Sequence, residues 1–168
     1  MKLVTGASGF VGSAVMAALK VNEIPVRGVV RETARSDCLA IGNISADTDW
    51  SLALSGVDTV IHTAARVHLM NDSAIDPLGE FRKINVDATL NLARQAANAR
   101  VNRFIFISSI KVNGESTRPG ESYSADDKAS PADPYAISKW EAEVGLKQLA
   151  NEIRIMTTAR FSKEGRLF

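Results

Sequence analysis

Tyr135 and Lys139 stand four residues apart in Tyr135-Ala136-Ile137-Ser138-Lys139, and two adjacent serines, Ser108 and Ser109, lie upstream. On a helix that spacing projects the phenol and the ammonium from one face. Such a pair suits proton transfer at a carbinol carbon, where a base takes the hydroxyl proton as hydride leaves. A free tyrosine titrates near ~10, so work near pH 7 asks for a shift of about three units, roughly 4 kcal/mol. A serine hydroxyl beside the pair would hydrogen-bond the substrate oxygen and steady its developing charge. Tyr-x-x-x-Lys arises often by chance, so its weight depends on what accompanies it.

Its companion is Thr5-Gly6-Ala7-Ser8-Gly9-Phe10-Val11-Gly12, which follows the apolar start Leu3-Val4. A strand turning into a helix at Gly6, Gly9 and Gly12 lets backbone approach a pyrophosphate. The helix start, opened by Phe10 and Val11, offers unpaired N–H groups and a partial positive charge to that anion. The last glycine allows close helix–strand packing. The bland alternative is a set of glycines that only serves a tight turn. The surrounding strand–helix context favours a dinucleotide site, and with Tyr135 and Lys139 it points to a nicotinamide-dependent enzyme. The Lys139 ammonium, helped by oxidised nicotinamide, would favour the phenolate and hold ribose hydroxyls.

The elements that must position these residues alternate short β-rich runs with amphipathic helices. That pattern predicts an α/β fold, a doubly wound parallel sheet with helices on both faces. Leu3-Val4 opens the first strand, and Val11, Ala14, Val15, Ala18 and Leu19 predict the buried stripe of the first helix. Strands are expected at Val26–Val30, Cys38–Ile44 and Val57–His62, the last introduced by a small helix around Trp50–Leu54. A long helix over Pro77–Arg100 would bury Phe81, Ile84, Ala88 and Leu92. Strands at Arg103–Ser108 and Ile153–Ala159 would flank a Gly-, Ser-, Pro- and Asp-rich loop over 113–133 and a helix from Pro134 to Ala150. Asp133 reads as that helix's N-cap with Pro134 at its first position.

The chain of 168 residues, with a formal net charge of +1, is expected to form one domain of ordinary size. That charge balance gives no reason to expect nucleic acid or a membrane surface as partner. A single cysteine, Cys38, excludes an internal disulfide and fits a reducing, cytoplasmic setting. The glycines break the apolar N-terminal run as a signal peptide, and no stretch approaches the ~20 apolar residues of a membrane span. His62 and His68 have no metal-type cluster around them and read as structural or solvated.

Gly-x-x-Gly-x-x-Gly with Tyr-x-x-x-Lys and an upstream serine resembles the short-chain dehydrogenase/reductase superfamily. Its extended branch, the NAD-dependent epimerase/dehydratase family, is suggested by Phe106-Ile107-Ser108-Ser109-Ile110-Lys111-Val112-Asn113-Gly114. Two further runs suggest it too, Gly56-Val57-Asp58-Thr59-Val60-Ile61-His62-Thr63-Ala64-Ala65 and Asn85-Val86-Asp87-Ala88-Thr89. The resemblance implies a Rossmann fold over about residues 1–160 and a Ser109–Tyr135–Lys139 centre, with Ser109 selected over Ser108. It implies that Ala64 and Ala65 let the cofactor lie against the fourth strand and that Asn85 orders the active-site helix or a water. It carries an adenine-binding position onto Asn43-Ile44. At the end of the second strand Arg31 stands where an acid would hold a ribose 2′-hydroxyl, which leans toward NADP over NAD, although Glu32 lies next to it.

The implied activity is a nucleotide-sugar epimerase or 4-ketoreductase of UDP-hexose type, in polysaccharide or O-antigen synthesis, often as a homodimer. The alternative is a non-catalytic dinucleotide-binding module or gene remnant. It arises because Arg160 is followed by Phe161-Ser162-Lys163-Glu164-Gly165-Arg166-Leu167-Phe168, an atypical tail that resembles a lost reading frame. On that reading the usual C-terminal substrate lobe is missing, and cofactor binding is the safer expectation than turnover.

Overall fold

The computed structural model describes residues 1–34, 36–67, 75–153 and 156–157. It contains a six-stranded parallel sheet in the order β3-β2-β1-β4-β5-β6, the Rossmann arrangement. The strands are β1 (Lys2–Thr5), β2 (Val26–Val30), β3 (Cys38–Ala40), β4 (Thr59–His62), β5 (Arg103–Phe106) and β6 (Met156–Thr157). Its helices are α1 (Phe10–Val21), α2 (Ser51–Leu54), α3 (Pro77–Arg82), α4 (Thr89–Asn98) and α5 (Pro134–Ile153). A π-helical turn, Lys83–Ala88, joins α3 to α4, and a 3₁₀ turn, Ile110–Val112, follows β5.

Alternation along the strands divides the core between the two faces of the sheet. Leu3, Val60 and Phe104 pack with Trp50, Leu92, Ala96, Ala142 and Leu146 on the α4–α5 side. Val4 and Ile61 pack with Ala7, Val15 and Met16 on the α1 side. Every residue of β4 is buried, as expected of a strand covered on both faces. No helix among the described residues is long and apolar enough to cross a membrane.

Two expected helix faces are corrected. In α1 the buried residues are Gly12, Val15 and Met16, whereas Ala14 and Ala18 are exposed. The helix turns its glycine to the sheet because the closest backbone approach falls there. In the long helix Phe81, Ala88 and Leu92 are buried as expected, but Ile84 is only half-buried and Asn85, one turn beyond Phe81, is buried instead. β2 spans Val26–Val30 as expected, whereas β3, β4 and β5 are shorter than expected. β3 ends at Ala40, where Gly42, with φ +73°, turns the chain and donates to the Arg31 carbonyl. β5 ends at Phe106, so Ser108 and Ser109 lie just beyond its carboxyl end. Asp133 caps α5 as expected, its Oδ1 accepting from Ala136 N at 2.7 Å. His68, Arg160 and the tail 161–168 lie outside the described residues.

Candidate active site

The glycine turn sits at the point where the strand order reverses, between β1 and β4, the crevice in which α/β sheets bind ligands. Gly6 adopts φ +66°, and a Cβ there would stand 2.8 Å from Ala64 N and 2.9 Å from Ala64 Cα. A Cβ on Gly12 would lie 2.1 Å from the Gly6 carbonyl oxygen and 2.8 Å from Thr63 Oγ1. Gly9 is less confined, its nearest such neighbour being the Gly6 oxygen at 3.2 Å. Gly9 N donates to that oxygen at 2.9 Å and Gly9 precedes α1 in an extended conformation with no side-chain cap. The first-turn N–H groups, including those of Phe10 and Val11, are therefore of the kind that receive an anion. Phe10 is 97% exposed, Val11 half-buried, and Ala64 and Ala65 are half-buried beside the turn. These residues fit a pyrophosphate cradle, since Gly6 and Gly12 let the turn and α1 close on the ends of β1 and β4 and bring the first-turn N–H groups to the crevice.

Arg31, Glu32 and Asn43 are exposed, and Ile44 packs half-buried against the main core. The Gly42-to-Arg31 hydrogen bond holds the β2 end and the Asn43 turn to each other. This places Arg31 and Asn43 on one edge of the crevice.

Ser109 is extended and its Oγ accepts from Lys111 N at 3.3 Å. Ser109 lies close enough to Tyr135 to favour its ionised form. Tyr135 packs edge-on against Phe81 with centroids 5.9 Å apart. Burial pushes the Tyr135 phenol up and the Asp133 carboxylate adds to this, while Ser109 and Lys111 pull it down. Without a dinucleotide the phenol therefore stands above its ordinary value, opposite to the direction the chemistry asks for. The Lys139 ammonium lies over the Phe106 ring, 3.9 Å from its centroid. Lys139 is 2% exposed, and burial pulls it down to about 7 against the opposing charge of Glu143.

A loop folds over Ser109. Asn113 Nδ2 donates to Ser124 O at 3.4 Å, and Ser130 N donates to Val112 O at 2.9 Å. Lys111 pairs with both Asp133 and Glu115, so the two ends of the loop are tied at the start of α5. Between them lies a solvent-open pocket of about 320 Å³ lined by Ser109, Asn113, Tyr123 and Ser124 among others.

Asn85 joins the parts. It is 1% exposed, its Oδ1 accepts from Arg66 N at 2.8 Å, and its Nδ2 donates to Arg66 O and to Ser138 Oγ. The segment after Ala64-Ala65 is thereby held to the helix that carries Tyr135 and Lys139. Sequence reasoning passed over Glu143, Lys111 and the threonines around His62. Glu143 carries a local signal, an acid one helical turn after Lys139.

His62 is fully buried, with Nδ1 2.6 Å from Thr5 Oγ1 and Nε2 2.9 Å from Thr89 Oγ1. A neutral imidazole has one donor and one acceptor, which these hydroxyls satisfy. Burial first, then the Lys139 charge, lowers His62 from 6.5 to about 3. The unfolded chain therefore takes up this proton before the folded one does. The stability involved is fully present above the ordinary histidine value and is lost as pH falls toward the folded one. Urea midpoints are expected to drop between about pH 7 and pH 4, with a shallower drop in His62→Gln.

Comparison with known proteins agrees with this architecture. Residues 2–165 match the NAD dependent epimerase/dehydratase family. A Vibrio cholerae UDP-glucose 4-epimerase is 42% identical over 154 residues, 89% of this chain and 47% of that protein. A human dTDP-D-glucose 4,6-dehydratase is 28% identical over 84% of this chain and 43% of its own length. Among solved structures, a Bacillus cereus UDP-glucuronic acid 4-epimerase in complex with NAD superposes with a TM-score of 0.78 at 26% identity, covering 94% of this chain and 54% of that one. MoeE5 in complex with UDP-glucose and NAD gives a TM-score of 0.75 at 27% identity over 94% of this chain and 51% of that one. The chain thus spans about half the length of the relatives it matches. With its glycine turn at the β1–β4 switch point and Tyr135 and Lys139 on one helix beside it, the chain belongs to the NAD-dependent epimerase/dehydratase family.

Proposed function

We propose that the chain forms the dinucleotide-binding part of a nucleotide-sugar epimerase or 4-ketoreductase acting on UDP-hexoses. The observation that carries this is the placement of Ser109, just beyond β5, next to Tyr135 on α5, at the carboxyl end of the sheet where the glycine turn also lies. Gly6, Gly9, Gly12 and the start of α1 bind the pyrophosphate, and Ala64 and Ala65 let the cofactor lie against β4. Asn43 and Ile44 meet the adenine. Lys139 holds ribose hydroxyls, Tyr135 moves the proton at the sugar oxygen, and Ser109 steadies that oxygen. Bound NAD or NADP supplies the hydride acceptor and donor. The named substrates of the relatives, UDP-glucose and UDP-glucuronic acid, support a UDP-sugar. Arg31 suits a ribose 2′-phosphate and so favours NADP(H), whereas the structural neighbours hold NAD.

The chain corresponds to 47% of the Vibrio relative, and cofactor binding is testable separately from turnover. A dinucleotide-binding module without turnover is the second reading. Fluorescence titration with NADH and with NADPH, beside Tyr135→Phe, tests both. Saturable binding is expected in each protein, tighter for NADPH, because Tyr135 serves proton transfer. Absence of binding by either nucleotide overturns the assignment. Conversion of a UDP-hexose that is lost in Tyr135→Phe excludes the second reading, and a tightly retained copurified nucleotide marks the epimerase.

A further inference from the structure

The two adjacent serines divide their roles. Ser109 stands beside Tyr135, whereas Ser108, 7% exposed, donates to Glu143 Oε1 at 2.5 Å in the interior. Glu143 is itself 8% exposed and lies one turn beyond Lys139 on α5. A buried ammonium is costly unless something compensates its charge. The Phe106 ring supplies part of this through its π face.

The remaining surroundings of Lys139 narrow the source of the rest. From β4 comes His62, neutral and stacked on Phe106 with centroids 5.9 Å apart. Tyr135 on α5 is an un-ionised phenol near neutral pH. Arg82 of α3 is engaged on the outside by Glu141, and Lys83 and Asp87 of the π turn and Arg94 of α4 are exposed. Lys111 of the 3₁₀ turn is paired with Asp133 and Glu115. Glu143, buried like Lys139 and one turn along the same face of α5, is the acid the fold places beside the ammonium.

We propose that Glu143, held in place by Ser108, is a positioning residue that keeps the buried Lys139 ammonium charged. This rests on the reading above only for what Lys139 does with a dinucleotide. The Ser108 hydroxyl, donating to Oε1, fixes where the Glu143 carboxyl group stands relative to Lys139. Deprotonated, Lys139 would lose both its hold on ribose hydroxyls and any electrostatic help to Tyr135.

Side-chain NMR of lysine labelled at Cε and Nζ tests this on the whole chain, with the Lys139 signal assigned by its loss in Lys139→Arg. Glu143→Gln is expected to lower the Lys139 titration midpoint by about one unit or more, a tenfold loss of proton affinity. Ser108→Ala is expected to move it in the same direction by less. A role confined to packing would lower the melting temperature of Glu143→Gln and leave the midpoint in place, and that result overturns the proposal. Should Glu143→Gln not fold, Ser108→Ala decides, with a downward shift supporting the proposal and an unmoved midpoint overturning it. NADH titrations of the same samples keep the two readings apart. A wild-type chain that binds no nucleotide defeats the functional assignment while the Lys139 midpoint still reports on Glu143.

Discussion

Gly12→Ala is expected to abolish dinucleotide binding and to destabilise the fold by about 3 kcal/mol or more. The added carbon would stand 2.1 Å from the Gly6 carbonyl oxygen and 2.8 Å from the Gly6 carbonyl carbon. Both are backbone atoms of a turn whose own φ of +66° leaves it little freedom to retreat. Relief requires α1 to move off the sheet, which would uncover Val15 and Met16 and displace the N–H groups that meet the phosphates. Gly9→Ala is the internal control. Its nearest contact of 3.2 Å needs a shift of only a few tenths of an ångström, so it should retain its fold, and it serves as the control for stability alone. Urea denaturation and NADH titration of the two variants make the comparison. Equal stability of Gly9→Ala and Gly12→Ala would remove the steric argument for the cradle.

Asn85→Ala is expected to cost about 3 kcal/mol and to loosen the active site without touching any reacting group. The wild-type amide satisfies Arg66 N, Arg66 O and Ser138 Oγ from a nearly fully buried position. Ser138 retains its donation to Tyr135 O, but the two Arg66 backbone groups lose partners that water reaches poorly. Hydrogen exchange is the discriminating measurement. The Arg66 amide should lose protection out of proportion to the global change, and α5 near Tyr135 should follow. A uniform loss across the sheet would instead mean that Asn85 acts only through overall stability.

Those two residues differ in how openly the sequence displays them. Gly12 was visible because its requirement is local, a strand turning into a helix within a few positions. The same glycine misled the reading of α1, since a residue without a side chain does not register in an apolar periodicity, although the structure turns it inward. Asn85 was visible only by resemblance. It lies four residues beyond Phe81 and so on the buried face, but a polar residue there does not register in an apolar periodicity. The helix cap at Asp133 was legible from Asp-Pro chemistry, while its second bond, to Lys111, joins residues separated by the whole loop. Glu143 could be placed on the Lys139 face by spacing, but its partner Ser108 lies 35 positions away. The raised Tyr135 phenol depends on burial, which spacing does not encode.

The placement of β1 inside the sheet also bears on how the chain acquires its fold. Lys2 pairs in register with Val26 on one side and with Thr59 on the other. During synthesis β1 is made before either neighbour, and one of its edges stays open until His62 has emerged. At about 5–20 residues per second that interval lasts seconds, during which Leu3 and Val4 present an apolar strand with unpaired edges. Each parallel neighbour must also close a long crossover before it gains any pairing, the kind of connection that folds slowly. Yield of folded protein should therefore respond to slower translation and lower temperature more than to substitutions on the exposed faces of the helices.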